Sequence, residues 1–307
     1  MDKELFMTEL EQYLNNRYGD GNKVTVKLML KNNGVSRISV MFKQALEPCS
    51  PTIYIDELYR DYCNGESLAN IADKILVLLD SACRHRNRYD LEMIRSWEIA
   101  KNHLDLRIMS KQLNAELLKG IVYYEHIDFA VYPVIVVDKT RDGTASIKIT
   151  KELANEWGVS TDDILRAAMI NTWSQNRYGC KRLIDAIKSI VGNDHSYSIV
   201  NNDAFENEMY LLSNTELHFG AAAILDTAFM KFVYEKIGGA FYVLPSSVHE
   251  CIVLRKRNID VNALKELVKH VNDSVVSKEE ILSYNVYFFD GSKLSIADEG
   301  GDDLCIE

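Results

Sequence analysis

A chain of 307 residues, 47% hydrophobic and 26% charged, is long enough for a sizeable core and for two domains of ordinary size, which excludes disorder over most of its length. A net charge of −10 argues against non-specific nucleic-acid binding, which needs clustered cations, and leaves a basic protein open as a partner. Six scattered cysteines with no CxxC pair exclude zinc ribbons and fingers, whose close-spaced thiolates present two ligands from one turn, and point to free thiols.

The N-terminus, MDKELFMTEL, has acidic residues where a secretory leader needs a basic start and an apolar run. It reads instead as an amphipathic helix carrying Leu5, Phe6, Leu10 and Leu14, stopped at Gly19. KVTVKLML and VSRISVMF alternate like strands, and Asn32-Asn33-Gly34 between them suits the positive φ angles of a hairpin. After the break at EPCSP, TIYIDELYRDYCNG reads as a helix closed by Gly65. SLANIADKILVLLDSACRH predicts a helix capped by Ser67, with Leu68, Ile71, Ile75, Leu78 and Leu79 as its apolar stripe. DLEMIRSWEIAKNHL adds another helical segment, and a domain boundary falls between Asn87 and Asn102.

Beyond it LDLRIMS reads as a strand and KQLNAELLKGI as a short helix. HIDFAVYPVIVVDK and ASIKIT are strands around a turn holding Asp142-Gly143. KELANEWG and STDDILRAAMINTWSQ are helices, the second started by Ser160 with Asp163 on its first turn. DHSYSIVNNDAFENEM has no clear period, MYLLSN is a strand, and HFGAAAILDTAFMKFVYEKIGG is one apolar helix ending at Gly238. FYVLPS and HECIVLRK are strands, VNALKELVKHVND and SKEEILS helices, and VYFFDG a last strand. No apolar run reaches the roughly 18 residues of a membrane span. The sum is an α+β protein, mainly antiparallel sheets with helices packed on one face. It comprises an N-terminal domain over 1–95, a C-terminal domain over 96–290 and an acidic, flexible tail over 291–307.

HIDFAVYPVIVV, SIKITKELANEWGVSTDDILRAAMINT, MYLLSNTELHFGAAAIL, GGAFYVLPSSVHE and the segment from ALKELVKHVND to SYNVYFFD together resemble a bacterial family of unknown function (DUF5688-like) found in many copies in anaerobic gut bacteria. The N-terminal KNNG and SPTIYIDELYRDYCNG extend the resemblance over nearly the whole chain, with HECIVLRK departing from the more apolar strand expected there. The resemblance implies a cytosolic α+β protein with no assigned reaction, cofactor or functional residue.

The polar knot PSSVHE sets Ser246, Ser247, His249 and Glu250 side by side, the residue types of a hydrolase. In an extended segment Ser247 and His249 share one side and Glu250 takes the other, so the reading preferred is a bend whose hydroxyls serve local amides. No two histidines fall at i+2, i+3 or i+4; Glu125, His126 and Asp128 are the nearest approach to a metal set, with His126 and Asp128 on one face if the segment is a strand. No phosphate-binding glycine motif occurs, and Gly220 reads as a close-packing position. No metal and no cofactor is expected. Sixteen tyrosines are generous, and Tyr54, Tyr59 and Tyr62, edged by Asp56, Glu57 and Asp61, read either as a seam between domains of the chain, slightly preferred, or as a candidate interaction face. The leading expectation is a non-enzymatic cytoplasmic acidic protein that binds another protein, as accessory or antagonist of a larger machine. A hydrolase using Ser247 and His249 is the alternative, and nucleic-acid association through CRHRNR (Cys83–Arg88) and LRKR (Leu254–Arg257) a second one.

Overall fold

The computed structural model describes residues 2–18, 22–44, 52–84, 91–140, 143–174, 178–186, 209–245, 247–257 and 259–297. The fold is α+β, and every strand pairing among these residues is antiparallel. The chain divides into two compact units, 1–94 and 95–307.

In the first unit helix α1 (Lys3–Tyr18) precedes strands β1 (Asn22–Leu30), β2 (Ser36–Gln44) and β3 (Thr52–Tyr54), which pair in that order, followed by α2 (Asp56–Cys63) and α3 (Leu68–Arg84). The β1–β2 turn places Asn33 and Gly34 at φ 58° and 72°, the conformation that the Asn-Gly pair favours. Phe6, Leu10 and Leu14 of α1, Val24 and Val26 of β1, Ile38, Val40 and Phe42 of β2, and Ile71, Ile75 and Leu79 of α3 form one core. Leu5 and Leu78, expected in the apolar stripes, are instead exposed. Ser67 Oγ accepts the Asn70 amide and caps α3. Helix α1 also closes the open edge of β1: Asn15 accepts the Val24 amide and donates to its carbonyl, both at 2.9 Å, and Glu11 accepts the Val26 amide at 2.7 Å. Side chains thus stand in for the missing neighbour strand. The helix expected across TIYIDELYRDYCNG starts only at Asp56, because Thr52–Tyr54 pairs with Ser39–Met41 of β2.

The segment expected as one helix after residue 90 breaks at Ser96 into α4 (Leu91–Arg95) and α5 (Trp97–Ala100). The second unit then builds β4 (Leu104–Ser110), α6 (Ala115–Leu118), β5 (Tyr124–His126), β6 (Phe129–Thr140) and β7 (Gly143–Lys148), a four-stranded sheet centred on β6. Helices α7 (Lys151–Trp157) and α8 (Thr161–Ser174) follow, and α8 packs on β4, where Thr172 Oγ1 accepts the Leu106 amide and donates to Asp105. The Ser160 cap on α8 forms as the sequence implies. The six-stranded sheet comprises β8 (Tyr178–Arg182), β9 (Met209–Asn214), β10 (Phe241–Pro245), β11 (Cys251–Arg255), β12 (Tyr287–Phe289) and β13 (Leu294–Ile296), with α9 (Thr227–Ile237) and α10 (Val261–Ser274) between its strands in sequence. Leu264 and Val268 of α10 cover Tyr242, Leu244 and Leu254 of this sheet.

Four further expectations change. The apolar helix expected from His218 is a 3-10 turn over Gly220–Leu225 followed by α9, because Asp226 accepts the Ala228 and Phe229 amides and starts a new helix. SKEEILS holds a turn at 278–280 rather than a helix, and HECIVLRK enters its strand only at Cys251. Residues 291–297, assigned above to the tail, carry β13; residues 298–307 lie outside the described residues, as do 194–208, read above as unpatterned, and 85–88 of the first basic run. Among the described residues no helix is long and apolar enough to cross a membrane.

Candidate functional site

The PSSVHE segment is the loop of the β10–β11 hairpin, closed by the Pro245–Cys251 pair and by the Ser247 amide donating to Glu250 O at 3.3 Å. Ser246 lies outside the described residues. Ser247, 5% exposed, donates from Oγ to Glu250 Oε1 at 2.8 Å, and its Oγ accepts the His249 amide at 3.0 Å. This corrects the extended-chain expectation: the loop is curled, so Glu250 meets Ser247 instead of facing away from it. His249 takes a separate direction. Its Nδ1 accepts the Phe219 amide at 3.2 Å, its Nε2 lies 3.6 Å from Glu280 Oε1, and its ring stands edge-on to His218 at 5.8 Å.

The Phe219 bond fixes the chemistry of the imidazole. An acceptor Nδ1 leaves the proton of the neutral ring on Nε2, so the lone pair a general base would use already holds a main-chain amide. The hydroxyl of Ser247 points to a carboxylate, not to the ring. Ser247, His249 and Glu250 are brought together as a turn, without the nucleophile–base–orienter relay of a hydrolase.

The neighbours that lock this loop come from far along the chain, and sequence adjacency had no signal for them. Ser213 Oγ donates to His249 O at 2.8 Å, Val248 donates to Glu280 O at 2.9 Å, and Asn214 holds both the amide and the carbonyl of His218. A Cβ on Gly220 would sit 2.3 Å from Ser213 Oγ and 2.4 Å from the Asn214 amide, so glycine there reflects close approach of backbone. Phe219, at φ 56°, is held in the left-handed region with Arg107 3.6 Å over its ring. Cys251, fully buried beneath the loop, has its thiol pushed far up by burial and by Glu250, which keeps it protonated and unreactive.

The metal reading of EHID fails on geometry. His126 ends β5 while Ile127, at φ 58°, and Asp128 form the turn into β6, so the two side chains are not on one strand face. Glu125 pairs with Lys111 at 2.7 Å, and Asp128 is bound by Ser283, Asn285 and Tyr287. Among the described residues no group of three or more His, Cys, Asp or Glu converges as a metal site requires.

In the first unit the tyrosines divide. Tyr59 and Tyr62 pack on Phe6 at 4.9 and 4.7 Å and belong to the edge of the core. Asp56 accepts the Ile38 amide, Glu57 faces Arg60 at 3.5 Å, and Asp61 pairs with Lys74 at 3.1 Å. Tyr54 stands on the other side of the sheet: Lys31 lies 4.2 Å over its ring and donates to its hydroxyl, which in turn contacts Met29 Sδ at 3.2 Å. The LRKR segment is engaged by its own chain, Arg255 donating to Gly238 O and Lys256 lying over Phe288. Between β9–β11 and α10 runs a cleft of about 240 Å³ lined by Met209, Leu244, Ile252, Leu267 and Val268, apolar side chains without a reactive group.

The family of unknown function DUF5688 matches the chain over residues 3–291. No curated protein and no solved structure matches it.

Proposed function

The chain belongs to the DUF5688 family of unknown function, and we propose that it serves there as a non-catalytic cytoplasmic protein that binds another protein. One observation carries this reading: in the loop richest in catalytic residue types, the proton-accepting nitrogen of His249 is held by the Phe219 amide while Ser247 is held by Glu250. A hydrolase needs those two side chains to meet each other. The exposed ring of Tyr54, set among Lys31, Arg37 and Met29, offers the mixed aromatic and charged character enriched at interfaces.

The test has two arms. The purified chain, treated with a fluorophosphonate probe, is expected to take up no label at Ser247; labelling that disappears in Ser247→Ala overturns the reading in favour of the hydrolase. Cross-linking in cell extract at near-physiological salt, followed by reconstitution from purified components, is expected to give a complex of fixed stoichiometry. If no reconstituted complex forms, the binding reading falls.

A further inference from the structure

The sheet of the first unit has two unlike faces. Val24 and Val26 of β1 and Ile38, Val40 and Phe42 of β2 point into the core, so by the two-residue period of a strand the alternate residues point the other way. Those residues are Lys23, Thr25, Lys27 and Met29 on β1, Arg37, Ser39, Met41 and Lys43 on β2, and Thr52 and Tyr54 on β3. The contacts of Lys31, Arg37 and Met29 with Tyr54 place all four together on this face. No acidic residue occurs in any of the three strands. In a chain of net charge −10, one sheet face thus carries the exposed Lys23, Lys27 and Lys43 beside Lys31 and Arg37, and its own strands hold no carboxylate.

The register sharpens the point. Lys23 lies directly opposite Lys43, and the next outward pair is Thr25 with Met41. Like charges directly opposite destabilise a strand pair, so this arrangement works against the fold. Lysines on an edge strand commonly ward off edge-to-edge pairing, and Lys23 and Lys27 fit that role. That role is already filled on β1, whose edge Asn15 and Glu11 close, and Lys43 faces a lysine of β1 rather than a carboxylate. Lys23, Lys27 and Lys43 answer to something outside the sheet.

We propose that this face is the docking surface for an acidic protein segment with interspersed apolar side chains. The inference rests on the binding role proposed above and names the surface and the chemistry of the partner. Carboxylates of the segment neutralise Lys23, Lys27 and Lys43, and its apolar side chains settle on Met29, Met41 and Tyr54, the methionines adapting to their shape. A nucleic-acid strand fits less well: it needs successive aromatic platforms for its bases, and Tyr54 is the one aromatic at the outward positions of these three strands.

The experiment measures fluorescence anisotropy of a synthetic peptide in which glutamates flank leucine and phenylalanine, titrated with the full chain. Poly-glutamate and a dT oligonucleotide serve as comparison probes. The peptide is expected to bind, to weaken at least about tenfold in the Lys27→Glu, Lys43→Glu double variant, and to weaken as salt rises. Met41→Ala with Tyr54→Ala is expected to weaken the peptide but not poly-glutamate. The proposal is overturned by peptide affinity unchanged in the charge-reversed variant, by poly-glutamate binding as tightly as the peptide, or by tighter binding of dT. A dimer in sedimentation that the charge reversal abolishes assigns the face to a second copy and equally overturns it. A melting temperature no lower than the parent's in each variant shows that loss of binding is not loss of fold. If the charge-reversed chain still forms the reconstituted complex, this face is wrong while the binding role stands; if no complex forms with the unaltered chain, the role itself fails.

Discussion

Tyr287 places its hydroxyl against both carboxylate oxygens of Asp128, at 2.7 and 2.8 Å, across a separation of 159 residues. The contact joins the last strands of the six-stranded sheet to the β5–β6 turn of the second unit's other sheet, and the Phe129 ring lies tilted against the same tyrosine at 4.9 Å. Asn285 Nδ2 and Ser283 Oγ complete the shell around the carboxylate. Burial and the Asp128 charge both push the Tyr287 hydroxyl far up, so it remains a donor at all physiological pH. Asp128→Ala removes the acceptor shared by Tyr287, Asn285 Nδ2 and Ser283, leaving the tyrosine only Ser283 Oγ, and is expected to cost about 3 kcal/mol, measured by urea unfolding. Tyr287→Phe removes one bond from a shell that keeps two others and is expected to cost about 1–2 kcal/mol. The double variant is expected to cost less than the sum; strict additivity would mean the two groups do not act as one unit.

Gly220 permits the crossing of the 218–220 segment over β9 and the 247–250 loop. Since an added Cβ would overlap Ser213 Oγ and a main-chain nitrogen, one of them fixed in a strand, Gly220→Ala is expected to cost about 3 kcal/mol or more. Gly120→Ala, where nothing lies within 4 Å of the new carbon, is the matched control and is expected to leave the melting temperature unchanged.

What the sequence made legible was local. Helix α1 announced itself through Phe6, Leu10 and Leu14, the β1–β2 hairpin through Asn33-Gly34, and the α8 cap through Ser160, because each signal sits within a few residues of the structure it causes. Asp226 was a cap in plain view, yet the alanine run before it matched helical composition more strongly than one carboxylate could contradict. The candidate loop was misread in one respect: alternation holds for a strand, and residues 247–250 are the curl between two strands, where Ser247 and Glu250 meet. Asp128 with Tyr287, and His249 with Phe219 and Glu280, depend on which loops the sheets bring side by side, information that no periodicity contains. The cationic face needed only the register of β1 on β2; its residues were in the alternating strands from the outset, but the whole-chain acidity masked them.

His126, half-buried at the end of β5, has its pKa lowered by desolvation. The folded chain therefore prefers the neutral ring, and the unfolded chain, with an ordinary value of about 6.5, takes up the proton first. Unfolding then binds more protons, so stability is intact above about pH 6.5 and falls as pH drops from there toward the lower folded value. His126→Gln is expected to flatten that part of the curve in urea unfolding between about pH 7 and pH 5 relative to the unaltered chain. A variant curve parallel to the parent would show that burial at this position places no constraint on charge.

The facing lysines give the proposed docking surface a consequence in stability as well as in binding. Lys23 and Lys43 repel across the β1–β2 ladder, and both are exposed, so removing one charge relieves repulsion without opening a cavity. Lys43→Glu converts the pair to an attractive one and is expected to stabilise the chain by about 0.5 kcal/mol, a rise of roughly 1–3 °C in melting temperature. The same substitution is expected to weaken the acidic peptide. A surface kept for its partner at the expense of its own ladder moves the two readouts in opposite directions, and raised salt narrows both effects. If Lys43→Glu lowers the melting temperature at low salt, the lysines are holding the sheet through contacts of their own, and the argument that they serve an outside segment loses its footing.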